Sequence, residues 1–279
     1  MNKHEDEAPG KTALRTNEHF KHMNNTLQTA LIQSDLVWEN PGKNRELFRE
    51  KINRIAQDVD LIVLPEMFTT GFSMNAAAVA ETMEGDTVAW MQKTARDRNA
   101  ALTGSIIIKE NGRYYNRAVF AHPSGRLDWY DKRHTFTLAG EHKVYASGNI
   151  QQIVDYNGWK LCLLICYDLR FPVWSRNTQA YDALIYVASW PEPRITAWDS
   201  LLKARAIENM AYCIGVNRTG TDGNGLMYPG HSVVYDALGD QLAFSDKEEA
   251  LQATLHKDHI REKREKFRFL DDRDAFSLT

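Results

Sequence analysis

The run Trp159-Lys-Leu-Cys-Leu-Leu-Ile-Cys166 constrains this chain more than any other stretch. It has the length of a strand, is apolar apart from Lys160, and breaks at once into Tyr167-Asp-Leu-Arg-Phe-Pro172. An apolar run this short, bounded by a polar turn, reads as a buried strand. Cys162 sits inside the run, as a structural cysteine does. Cys166 sits at its end, where α/β proteins place reactive groups. Two further runs end in the same way. Leu61-Ile-Val-Leu-Pro-Glu66 delivers a carboxylate, and Leu127-Asp-Trp-Tyr-Asp-Lys132 delivers an ammonium. Each has an ordinary alternative: a capping or solvated Glu, a surface Lys, an inert Cys. All three at strand ends, in the order Glu, Lys, Cys, are hard to assign to chance.

The rest of the chain alternates strand and helix signals. Strands are expected at Leu27–Ile32, Leu61–Leu64, Ala101–Lys109, Tyr114–Ala121 and Leu127–Tyr130 in the first half. The second half repeats the pattern at Gln152–Tyr156, Trp159–Ile165, Ala183–Ala188, Tyr212–Val216, Ser232–Tyr235 and Gln241–Phe244. Helices are expected at Asn44–Gln57, Asp86–Asn99, from Pro172 to near Asp182, and at Ala197–Met210. Asn111-Gly112 and Asn157-Gly158 are tight hairpin signals, and Asp236-Ala-Leu-Gly239 marks a third hairpin. Crossover units mixed with hairpins predict an α/β fold with mixed sheets, and the two similar halves suggest two sheets packed face to face.

With 279 residues, a length prior would allow about two domains. No Pro/Gly/Ser-rich linker interrupts the pattern, so residues 25–279 read as one domain. Residues 1–24 mix bases and acids with almost no apolar side chains and no apolar core of a signal peptide, which predicts a frayed leader. Met23 is an alternative start. Hydrophobic content of 43% and charged content of 25% match a globular protein with a full core. The net charge of −3 and the lack of a basic stripe leave no footprint for nucleic acid. Apolar runs stop at strand length, short of the ~20 residues of a membrane span. The three cysteines have no framework or zinc spacing. Cys162 and Cys166, about 13 Å apart along a strand, cannot easily bridge. A free thiol fits a reducing cytoplasm.

At Leu64-Pro-Glu66-Met-Phe68, Tyr130-Asp-Lys132-Arg-His134 and Cys166-Tyr-Asp-Leu-Arg-Phe-Pro172 the chain resembles the nitrilase superfamily of carbon–nitrogen hydrolases. The likeness runs from about residue 25 to the end. It continues through Ala188-Ser-Trp-Pro191, Lys203-Ala-Arg-Ala-Ile-Glu-Asn209 and Val216-Asn-Arg-Thr-Gly-Thr-Asp222. Within that superfamily the chain looks most like omega-amidases, on the strength of Trp190-Pro-Glu-Pro-Arg194 and Arg264-Glu-Lys-Phe-Arg-Phe-Leu270. The resemblance implies a four-layer α-β-β-α sandwich with two mixed sheets and a homodimer or higher homo-oligomer. It also implies a Glu66–Lys132–Cys166 triad acting on a small amide such as 2-oxoglutaramate, with Glu141 as a second acid that orients Lys132. A carbamoylase or another small-amide hydrolase is the rival enzyme, and a binding homologue that kept the fold is the rival of another class.

In such a site Lys132 would favour the thiolate and Glu66 would accept its proton. Lys132 and the Tyr167 backbone N–H would receive the oxyanion. No metal or organic cofactor is required. An anionic substrate needs an anchor, and Arg170 and Arg194 are both candidates. Trp190 and Phe68 are candidate walls. Asp168 and Arg170 could instead brace the nucleophile turn as an ion pair. Arg205 and Glu208 should pair along one helix, Asn217 and Arg218 end a strand near the site, and His134 and His142 read as loop residues. Ser189 stands where related chains often carry Asn or Gly.

Overall fold

The computed structural model describes residues 25–278. The expected leader, 1–24, and the alternative start at Met23 lie outside the described residues. The first half runs β1 (Thr26–Gln33), α1 (Pro41–Arg54), β2 (Leu61–Val63), α2 (Ala76–Val79), α3 (Asp86–Arg98), β3 (Ala101–Glu110), β4 (Arg113–Ala121) and β5 (Leu127–Asp131). The second half opens with β6 (Gln152–Tyr156), β7 (Trp159–Ile165), α4 (Pro172–Ser175), β8 (Ala183–Ala188), α5 (Ile195–Asn209) and β9 (Tyr212–Asn217). A small hairpin, β10 (Thr219–Thr221) and β11 (Met227–Pro229), precedes β12 (Ser232–Tyr235), β13 (Gln241–Ser245), β14 (Glu249–His256) and α6 (Lys257–Phe267).

The strands form two six-stranded sheets, ordered β14-β1-β2-β3-β4-β5 and β13-β12-β9-β8-β7-β6. In the first, β1, β2 and β3 are parallel; in the second, β7, β8 and β9 are parallel. Antiparallel strands flank each trio. The two sheets therefore share one pattern of strand directions, although β14 joins the first from the end of the chain, and the helices cover the outer faces.

Alternation along the strands builds the layers. On β1, Leu27 and Leu31 join the core shared with the second sheet, which includes Trp159, Leu163 and Val187. Ala30 and Ile32 point the other way and pack with Phe48 and Ile52 of α1 and Met91 of α3. On the far side, Trp198 and Leu202 of α5 lie over β9. Gly215 makes that approach possible, because a Cβ there would stand 2.4 Å from Leu202 Cδ1. Among the described residues no helix is long and apolar enough to cross a membrane.

Two expectations change. The helix expected from Pro172 to near Asp182 is a single turn, Pro172–Ser175. Asn177 takes over beyond it: its side chain bonds the N–H and carbonyl of Tyr181 and the carbonyl of Asn209, holding a loop instead. The strand Glu249–His256 carries no clean alternation and was not expected. It pairs along the full length of β1.

Candidate active site

Three parallel strands aim their C-terminal ends at one point. Glu66 follows β2, Cys166 follows β7 and Ser189 follows β8, while Lys132 follows β5. The chain turns sharply at two of these places. Cys166 has φ +45° and Met67, next to Glu66, has φ +44°. Neither is glycine, so both positions store strain of the kind that surrounding structure must hold in place.

Asp168 supplies much of that hold. It is fully buried and accepts from Ile165 N at 3.0 Å, Tyr130 Oη–H at 2.8 Å, and the N and Nδ1 of His134 at 3.0 and 2.8 Å. The suggested ion pair between Asp168 and Arg170 is absent. His134 takes the partner position because it stacks on Phe171 at 3.7 Å. Arg205 does pair with Glu208, at 2.9 Å, and also donates to Leu169 O at 2.7 Å. Asn217 pins the next wall through bonds to the N–H and carbonyl of Trp190 at 2.7 and 2.9 Å. Arg218 turns away to Asp35, 2.8 Å.

The structure brings Glu66, Lys132, Glu141 and Cys166 together. Lys132 Nζ donates to Glu66 Oε1 at 2.8 Å and to both Glu141 oxygens at 3.1 and 3.0 Å. All three side chains are buried. Ser189 N donates to Glu66 Oε2 at 2.8 Å, and Asn116 Nδ2 donates to Glu66 Oε1 at 2.8 Å and Glu141 Oε1 at 3.3 Å. Cys166 Sγ lies 4.0 Å from Ser189 O.

Charge in this space follows from burial. Burial works against the Lys132 charge, but the carboxylates of Glu141 and Glu66 outweigh it and hold Lys132 above its ordinary value. Burial lifts the Glu141 carboxyl, with Lys132 opposing and Glu66 adding to the rise. Burial and the Glu66 charge push the Cys166 thiol well above its ordinary range, and Lys132 offsets only part of this. As expected, Lys132 favours the thiolate, but burial and Glu66 act against it.

A cleft of about 320 Å³ opens over Cys166. Arg170, Arg194, Trp190 and Tyr167 all line it. Arg170 lies over the Trp190 ring at 5.0 Å and Arg194 over Phe136 at 5.2 Å. Among the described residues neither guanidinium has a carboxylate partner. Tyr167 is the second residue of the short 3₁₀ turn Cys166–Arg170, where its N–H has no acceptor within the turn. Phe68 is not a wall. It is fully buried on the helix side of the first sheet, edge-on to Phe48 at 5.4 Å and near Trp90 at 5.9 Å. The turn at Met67 sends it there, and Phe72 lines the cleft in its place. Sequence reasoning also missed Asn116, Phe136 and Tyr228. Asn116 gave one faint signal, an amide in the middle of a strand.

A family model described as carbon-nitrogen hydrolase matches residues 28–265. Omega-amidase YafV of Escherichia coli (strain K12) is 45% identical over 254 residues, covering 90% of this chain and 98% of that protein. The 2-oxoglutaramate amidase of Bacillus subtilis (strain 168) is 33% identical over 86% of this chain and 95% of that one. Among solved structures, XC1258 from Xanthomonas campestris is a CN-hydrolase superfamily protein with an arsenic adduct in the active site. It superposes with a TM-score of 0.89 at 39% identity, over 91% of this chain and 99% of that one. The match spans both sheets and every residue of the buried cluster, so the chain belongs to the carbon–nitrogen hydrolase family.

Proposed function

We propose that the protein is an omega-amidase-like hydrolase that cleaves the terminal amide of a small carboxylate-bearing substrate of the 2-oxoglutaramate type. The observation that carries this reading is the Cys166–Glu66–Lys132–Glu141 cluster at the floor of a cleft lined by two arginines without carboxylate partners. The 45% identity to an omega-amidase points the same way.

The proton on Cys166 leaves as the sulfur attacks. Glu66 takes it while Sγ bonds to the amide carbon, so the thiolate need not exist beforehand. The carbonyl oxygen becomes an oxyanion that receives the Tyr167 N–H and one proton of Lys132. Glu141 grips Lys132 through both oxygens, which a single shared N–H satisfies, so a proton remains for the oxyanion. Glu66 passes its proton to the departing nitrogen, and ammonia leaves a thioester on Cys166. Glu66 then deprotonates water, which attacks the thioester carbon; the sulfur regains its proton and the acid leaves. Arg170 and Arg194 are the groups suited to the distant carboxylate, each placed over an aromatic ring that lines the cleft.

Ammonia release from 2-oxoglutaramate, succinamate and an N-carbamoyl amino acid, measured side by side, tests the reading. The oxo-acid amide should be preferred. Preference for the carbamoyl compound would assign a carbamoylase. We also infer a homodimer or higher homo-oligomer, to be checked as mass in light scattering, and a cytoplasmic location, consistent with the free thiols of Cys162, Cys166 and Cys213.

A further inference from the structure

The buried cluster holds two carboxylates and one ammonium, so it carries one negative charge in excess when all three are ionised. A dry site does not tolerate an excess charge unless neutral donors face it. Ser189 N serves one oxygen of Glu66 and Phe136 N one oxygen of Glu141. The two remaining oxygens, Glu66 Oε1 and Glu141 Oε1, both receive Asn116 Nδ2, at 2.8 and 3.3 Å. The same residue accepts from Lys132 N through its backbone carbonyl at 3.0 Å. Its own Oδ1 is buried with no partner. An unpaired buried acceptor carries the full cost of its lost water, and an amide seldom bears that cost for packing alone.

We propose that Asn116 is a positioning residue that acts through Glu66 and Glu141, keeping both carboxylates ionised and separated so that Glu66 faces Cys166 as a proton acceptor. The other titratable groups around the pair do not supply this. Lys132 is the cation in contact, and it is already shared between the two acids. Tyr145 and Tyr228 approach from α2's side and from β11, but their hydroxyls donate to Ser73 O and Asp222 Oδ2. A thiol at Cys166, neutral or ionised, cannot offset a negative charge. Burial already lifts the Glu141 carboxyl, so removing a donor from the pair moves it further the same way.

The test compares wild type, Asn116→Ala and Asn116→Asp in two pH profiles. One is kcat/KM for amide hydrolysis; the other is the rate of Cys166 alkylation by iodoacetamide, with Sγ displacing iodide. Only the first rests on the proposed amidase function. A wild type that alkylates normally but releases no ammonia would count against that function and leave the Asn116 proposal to the second profile. In Asn116→Ala the acid limb of both profiles should move up by about one pH unit, because the pair protonates more readily. Its kcat at neutral pH should fall about tenfold to a hundredfold, with KM within about threefold. Asn116→Asp preserves shape but replaces the donor with a third acid, so it should be worse than Ala. Unmoved limbs in Asn116→Ala, or an Asp variant more active than the Ala variant, would overturn the proposal. Asn116→Ser replaces Asn116→Ala if circular dichroism shows the latter unfolded.

Discussion

Cys166 combines a strained backbone with a thiol that resists ionisation, and both properties have consequences for single substitutions. Cys166→Ala should abolish ammonia release while circular dichroism stays native, since only the attacking atom is lost. Activity within a few fold of wild type in a pure sample would refute the nucleophile. Cys162→Ala and Cys213→Ala should keep turnover, because both side chains are buried in the core away from the cleft. Lys132→Met should lower kcat by ~10²–10³ with a smaller effect on KM, the usual loss for an oxyanion donor. An unchanged kcat with a raised KM would make Lys132 a binding group instead. Arg170→Met and Arg194→Met separate anchor from wall. The anchor should erase a preference of about tenfold to a hundredfold for the anionic over the neutral amide, the worth of one charged hydrogen bond.

At the scale of elements, the nucleophile turn is held from outside itself. Tyr130 comes from β5 and His134 from the loop after it, and both converge on Asp168. Trp174 of α4 donates to Tyr130 Oη at 3.0 Å and closes the network. Asp168→Asn keeps the size but removes the charge and half of the acceptor capacity. It should cost about 2–3 kcal/mol in urea unfolding and slow Cys166 alkylation, because the turn at Cys166 loses its brace. A variant with wild-type stability and wild-type alkylation would show that the turn holds itself.

At the scale of the molecule, the last strand and helix close the sandwich. β14 covers the outer edge of β1 in the first sheet. α6 then crosses to the second sheet, where Arg264 donates to the carbonyls of Met210 and Tyr181 at 2.8 and 2.6 Å. Leu255 and Ile260 bury within the shared core. Truncation after Asp246 should therefore yield insoluble protein or broad loss of amide protection, because it bares the β1 edge and opens the core. Truncation after Phe267 should fold. A soluble, protected product from the first truncation would show that the two sheets hold without this strap.

Local chemistry was enough to find the strands of both halves, the hairpins at Asn111-Gly112 and Asn157-Gly158, and the three residues at strand ends. Each depends on neighbours in sequence: an apolar run, a turn dipeptide, an abrupt polar break. Glu141, Arg170, Arg194 and Trp190 also lie where the motifs put them, since each sits in a short loop tied to one of those strands. Contacts across the fold decided the remainder. Phe68 and Phe72 are four residues apart and equally aromatic, and the left-handed turn at Met67 sends one to the core and leaves the other at the cleft. β14 has little pattern of its own because it is half exposed, and its place comes from the free edge of β1. The raised pKa of the Cys166 thiol, after burial itself, and the role proposed for Asn116 depend on carboxylates brought in by β2 and the turn after β5. Burial and charge act through space, and no spacing along the chain encodes the distance between groups on separate strands.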